Sequence, residues 1–201
     1  GLGPPFATFS KPPKPPFFKN FIPMKQGFVL VTGPTGHGKS TSVAAILNEI
    51  NHQKNCHIVT IEDPIEFLIK PDKATISQRE VGFDTLSFEA ALKSCLRQDP
   101  NIVFAGEMRD LESISSALTI AETGHLVFST LHTNSAAQSV DRIIDVFPEG
   151  SKEQIRVQLA SVITAVVSQR LIPGIDGGRI PAFEILVATP AVRNIVREGK
   201  N

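Results

Sequence analysis

Tryptophan and tyrosine are absent from the 201 residues, and cysteine occurs only twice. Without Trp or Tyr the chain lacks the usual rings for stacking on nucleic-acid bases. Its charge argues the same way: 20 Lys and Arg balance 20 Asp and Glu, so no global basic field draws a polyanion. Cys56 and Cys95 stand apart with no C-x-x-C pair, which suggests neither a zinc site nor a disulfide framework. Two small buried thiols in a reducing compartment are expected instead. No apolar run is long enough to span a bilayer, and no signal-peptide core opens the chain. There is no internal repeat. The remaining composition, 41% hydrophobic and 20% charged, is that of a globular domain with a sizeable core.

What the chain does have is a phosphate-cradling motif. Gly33-Pro34-Thr35-Gly36-His37-Gly38-Lys39-Ser40-Thr41 satisfies G-x-x-x-x-G-K-[ST], the loop of nucleoside-triphosphate-binding proteins. Its glycines let the backbone turn tightly with N–H groups facing inward. Lys39 would reach the β- and γ-phosphates of ATP, and the Ser40 hydroxyl would ligate Mg²⁺. The apolar run 27–32 before the loop reads as a buried strand. Residues 39–52 after it read as a helix with Val43, Ile46, Leu47 and Ile50 on one face, its N-terminus adding a dipole to the anion site. His37, inside the loop, is expected to be exposed.

Residues 1–25 carry the sets Pro4-Pro5 and Pro12-Pro13-Lys14-Pro15-Pro16, then Pro23. Such a segment is expected to run extended as an arm, without helix, ahead of a domain over 26–201. The interleaved Phe6, Phe9, Phe17, Phe18 and Phe21 are unusual for a plain linker and could pack on the domain or on a neighbour. From Gly27 onward strand-like and helix-like stretches alternate, the pattern of a mostly parallel α/β sheet with helices on both faces. Core strands are expected at 57–61, 101–105 and 125–130, with a smaller strand pair at 65–69 and 75–81. Helices are expected after the caps Ser87, Asp110 and Thr189, and another from Ser135. Another should open on the capping box Ser151-Lys152-Glu153-Gln154 and use Ile155, Leu159, Val162, Ile163 and Val166. A late antiparallel hairpin should turn around 174–178.

Ligands of an open parallel sheet bind beyond the carboxyl ends of its strands. There the chain has the phosphate loop, Glu62-Asp63 with Glu66, Glu107 with Arg109 and Asp110, and His132 with Thr133 and Asn134. Phosphoryl transfer to water needs charge neutralisation, Mg²⁺ and a group orienting the water. Glu107 follows an apolar strand as Walker-B acids do, but Gly106 stands where an Asp is common, which raises the weight on Glu62 and Asp63. Base and metal-shell roles remain open between Glu62 and Glu107. His132 is either a γ-phosphate sensor or a structural histidine; His125 reads as a satisfied buried one.

In this order the segments resemble the secretion-ATPase superfamily of type II secretion and type IV pilus motors. Ile61-Glu62-Asp63-Pro64-Ile65-Glu66 is similar to its Asp box, Gly106-Glu107-Met108-Arg109-Asp110 to its atypical Walker B, and Thr123 to Thr133 to its His box. Ala191-Val192-Arg193-Asn194-Ile195-Val196-Arg197-Glu198 resembles a motif of the pilus-retraction (twitching motility) ATPases, PilT-like, whereas extension and type II secretion ATPases usually carry a four-cysteine zinc motif.

The resemblance implies a RecA-like ATPase with ATP and Mg²⁺ as cofactors. Glu107, Glu62 and His132 become catalytic candidates, Gly33 to Thr41 the nucleotide loop, and Ser40 and Asp63 the metal positions. It implies a homo-hexamer with arginines contributed across subunits, and a subunit or partner contact for Arg193 and Arg197. It also implies an inner-membrane platform protein as partner, and a cytoplasmic location peripheral to the membrane, with no nucleic acid. The family's PAS-like N-terminal domain and C-terminal extension are not in this sequence, so a fragment is expected. The alternatives are a pilus-extension or type II secretion ATPase, and a non-hydrolysing scaffold or nucleic-acid translocase of the same fold.

Overall fold

A computed structural model of the chain describes residues 16–34 and 38–199. Expectations for residues 1–15, and for Thr35, Gly36 and His37 of the loop, lie outside the described residues. Seven strands form one sheet: β1 (Gly27–Thr32), β2 (His57–Glu62), β3 (Thr75–Glu80), β4 (Ile102–Glu107), β5 (Leu126–Leu131), β6 (Ile163–Pro173) and β7 (Arg179–Val187). Their order is β3-β2-β4-β5-β1-β6-β7, parallel throughout except for the antiparallel β6–β7 hairpin. Strands buried on both faces read as near-continuous apolar runs. Accordingly, β1 and β5 are buried at every position.

One face of the sheet is covered by α1 (Lys39–Gln53). The other is covered by α2 (Phe88–Cys95), α3 (Leu111–Glu122), α4 (Ala136–Asp145), α5 (Glu149–Val162) and α6 (Pro190–Glu198). Four helices start as their sequences suggest. Ser87, Asp110, Ser135 and Thr189 accept hydrogen bonds from the backbone N–H three residues on, at 3.1, 2.7, 3.1 and 3.2 Å.

Four local expectations are corrected. Residues 65–69 form no strand, because their backbone polar groups bond to β3 side chains: Ile65 N donates to Glu80 Oε1, Ile69 N to Gln78 Oε1, and Phe67 O accepts from Gln78 Nε2. Thr75–Glu80 instead joins the main sheet, parallel to β2. Helix α5 starts at Glu149 behind Pro148, which leaves Ser151 inside its first turn, so the capping box is unused. The helix also ends at Val162, since Ile163 onward pairs with the free edge of β1. The thiols differ as well: Cys95 is buried, and burial pushes it up to about 11, while Cys56 is only half-buried. His125 is half-buried just before β5, its Nδ1 near Ile120 O and Thr123 Oγ1.

The fourth correction concerns the Pro-rich arm. Pro16–Phe21 is a short 3₁₀ helix, not extended chain. Phe18 and Phe21 are buried in the core on the α1 face, and Phe21 meets Phe128 of β5 edge-on at 5.8 Å. Phe17 and Phe18 flank Phe183 of β7 at 5.6 and 6.0 Å. Aromatic burial outweighs the extended bias of the prolines. Phe21→Ala should therefore destabilise the fold by about 3–5 kcal/mol. Urea unfolding checks this, and a change near zero would place the turn outside the cooperative unit.

Candidate active site

Strands β4, β5 and β1 are adjacent, and their first residues are in register: Ile102 with Leu126, and Leu126 with Gly27. Each is six residues long, so their carboxyl ends deliver Glu107, His132 and the phosphate loop to one level. A register shift between Ala105 and Glu107 sets Glu107 opposite Thr130. A side chain at Gly106 would crowd this turn, because its Cβ would lie 3.1 Å from Ile61 O and 3.3 Å from the Phe88 ring. The missing Walker-B Asp thus has a steric reason.

Lys39 opens α1 with its side chain turned under the loop, only 7% of the residue being exposed. Its Nζ donates to Gly33 O at 2.8 Å and Leu131 O at 3.4 Å, and meets Nδ1 of His132. His132 Nε2 lies 2.9 Å from Glu107 Oε2, which also accepts from Arg109 at 2.8 Å. The imidazole tautomer that fits both contacts accepts at Nδ1 and carries its proton on Nε2. A continuous chain therefore runs Lys39–His132–Glu107–Arg109. A cleft of about 180 Å³ beside it is lined by Glu107, Arg109, His132 and Arg142, among others.

The two candidate carboxylates sit in opposite environments. Burial alone would raise Glu107, but the Arg109 hydrogen bond and charge, with His132, outweigh it and hold the carboxyl below its ordinary value. Burial raises Glu62 against the hydrogen bonds from Thr60 and Gln78, and Glu66 and Glu80 add to the rise. Asp63 is exposed, and its charge, after that of Glu107, helps raise Arg109. Pairs of groups driven apart in this way are a frequent mark of acid–base sites.

Ser40 and Thr41, in the first turn of α1, are half-exposed. Next to Thr41 and Gly38 is a pocket of about 270 Å³ walled largely by Phe18, Ala45, Leu171, Pro181 and Phe183. Sequence reading did not assign this pocket, since its walls come from the Pro-rich start and the late hairpin. Gln169 in the middle of β6 was also missed; it is buried and accepts from Ser42 Oγ at 2.5 Å. Its only signal was a polar residue on an otherwise apolar strand face. Arg193, expected at a subunit or partner contact, donates within this chain to Ala160 O and Ser161 O at the end of α5.

The family profile described as type II/IV secretion system protein matches residues 9–201. The chain belongs to the type II/IV secretion system protein family. Relatives of this secretion family include the type IV pilus retractation ATPase PilT of Pseudomonas aeruginosa. It is 56% identical over 183 residues, covering 91% of this chain and 53% of that protein. A twitching motility protein of Neisseria gonorrhoeae is 56% identical over 187 residues, covering 92% and 50%. A crystal structure of the pilus retraction motor PilT with bound ADP superposes with a TM-score of 0.90 at 48% identity, covering 96% of this chain and 58% of that one. The chain thus spans about half the length of the curated relatives it matches.

Burial lowers Lys39 from 10.5 to about 8, with Glu107 opposing the fall. Between those values the unfolded chain binds the extra proton, so stability rises with pH there. Relative to Lys39→Met, the nucleotide-free wild type should gain stability from about pH 8 to about 10.5. Urea titrations at several pH values measure this, and a flat difference would mean that Lys39 is not strained by burial.

Proposed function

We propose that the full-length protein is an ATP-hydrolysing homo-hexameric motor of type IV pilus retraction, the basis of twitching motility. The observation that carries this reading is the Lys39–His132–Glu107–Arg109 chain at the mouth of the phosphate loop. The relatives named above, and the ADP in the retraction-motor structure, support nucleotide as its ligand.

In this reading Lys39 and the N-terminus of α1 hold the phosphates, and the pocket beside Thr41 takes the base. Ser40 and, through water, Asp63 would hold Mg²⁺, which neutralises charge on the transferring phosphate. The fit is that of Mg²⁺ bound mainly by phosphates and water: no cluster of three or more metal-ligating side chains occurs among the described residues. Glu62, biased toward protonation, accepts the proton of the attacking water, and Glu107, kept ionised, orients that water. When Lys39 turns to the γ-phosphate it leaves His132 Nδ1, so His132 registers whether that phosphate is there. The assembled hexamer, with arginines from neighbouring subunits, would act on an inner-membrane platform protein from the cytoplasmic side, peripheral to the membrane. No helix among the described residues is long and apolar enough to cross a membrane.

ATP turnover of the full-length hexamer tests this. Glu62→Gln and Glu107→Gln should each lower kcat by about 10²–10⁴. Arg109→Gln removes the partner that holds Glu107 down, so activity should fail at higher pH as the solution is acidified. Normal turnover by Lys39→Ala would overturn the site.

A further inference from the structure

Gln169 is a polar side chain with 3% exposure at the point where β6 passes the phosphate loop. Strand β6 runs parallel to β1 with Ser168 opposite Thr32, so Gln169 stands beside Gly33, where the loop begins. Its backbone carbonyl oxygen lies 2.5 Å from where a Cβ on Gly33 would be, a contact any residue here would make, whereas its side-chain Nε2 lies 3.1 Å from the corresponding point on Gly38. Its Oε1 accepts from Ser42 Oγ at 2.5 Å. The residue therefore borders Gly33 with its backbone, and with its side chain it borders Gly38 and bonds the first turn of α1.

Packing alone does not call for an amide here. On the same face of β6, Ala165 and Val167 are apolar core residues, and an apolar side chain of equal volume would avoid the cost of burying polar atoms. Glycine leaves the backbone at Gly38 wide conformational freedom, and a buried side chain bonded beside it restricts the start of α1. We propose that Gln169 is a positioning residue for the nucleotide site. Its side chain lies against Gly38 and fixes Ser42, so that the N-terminus of α1 is held in place for a phosphate chain. The inference rests on the nucleotide-binding reading and adds a determinant to it outside the motif.

The test is titration of the full chain with a fluorescent ADP analogue, together with ATP kinetics of the full-length hexamer. Gln169→Leu keeps the volume and removes the acceptor. It should weaken ADP binding about 10-fold, the scale of one lost buried hydrogen bond. It should raise KM for ATP by a similar factor while kcat at saturation stays within about twofold. Ser42→Ala should weaken binding as well, and the double variant should bind no worse than Gln169→Leu. If Gln169→Leu does not fold, Ser42→Ala carries the test, because it removes the same bond with a smaller change. Wild-type affinity in both variants, multiplicative losses in the double variant, or a fall in kcat with KM unchanged would overturn the positioning role. A wild-type chain that fails to bind the analogue would instead sink the nucleotide reading itself.

Discussion

A buried ammonium group is the constraint on which the site depends. Lys39 has lost most of its water, and an unpaired charge there would be costly. Its partners come from three places: Gly33 at the end of β1, Leu131 at the end of β5, and His132, which is itself tied to Glu107 of β4. These can meet only if three neighbouring strands end at one level. The shared starting register and equal lengths of β1, β4 and β5 meet that demand. A slip of one residue in any of them would turn a needed side chain to the wrong face. The apolar core thus sets the register, and the charge uses it.

The same geometry separates two acids that look alike in the sequence. Both Glu62 and Glu107 close apolar strands, on neighbours β2 and β4. Glu107 points to the Arg109 guanidinium and the Nε2–H of His132, whereas Glu62 is half-buried with Thr60 and Gln78 and near Glu66 and Glu80. Arg109 lies near both Glu107 and Asp63, and so joins the two strand ends electrostatically. The contrast between the carboxylates follows from these surroundings and not from spacing along the chain.

That contrast explains what was legible in the sequence. The motif loop, the buried strands, three helix caps and the row of polar residues at the strand ends were all readable, because each is a local pattern with a local cause. Glu62, Glu107 and His132 could be chosen because a parallel sheet collects its strand ends. What escaped depends on distant partners. Ile155 through Val166 fit a helical stripe, yet Ile163 onward was claimed by the open edge of β1. Residues 65–69 look like a strand until Glu80 and Gln78 are known to satisfy their backbone. The prolines before Phe17 masked a turn whose aromatic rings belong to the core. Gln169 carried no motif at all, since its importance lies in contacts with residues more than a hundred positions away.

The C-terminal helix adds a last connection. Arg193 binds the free carbonyls at the end of α5, where a cation is favoured by the helix dipole. Helix α5 passes directly into β6, and β6 carries Gln169 to the phosphate loop. From α6 to the loop the route is therefore one helix end and one strand, hydrogen-bonded at both of its junctions. A stripe of Val192, Ile195 and Val196 on α6 lines the neighbouring apolar groove, with Arg193 holding the helix there. The segment that most resembles the retraction motors is thus tied to the element that borders the phosphate loop.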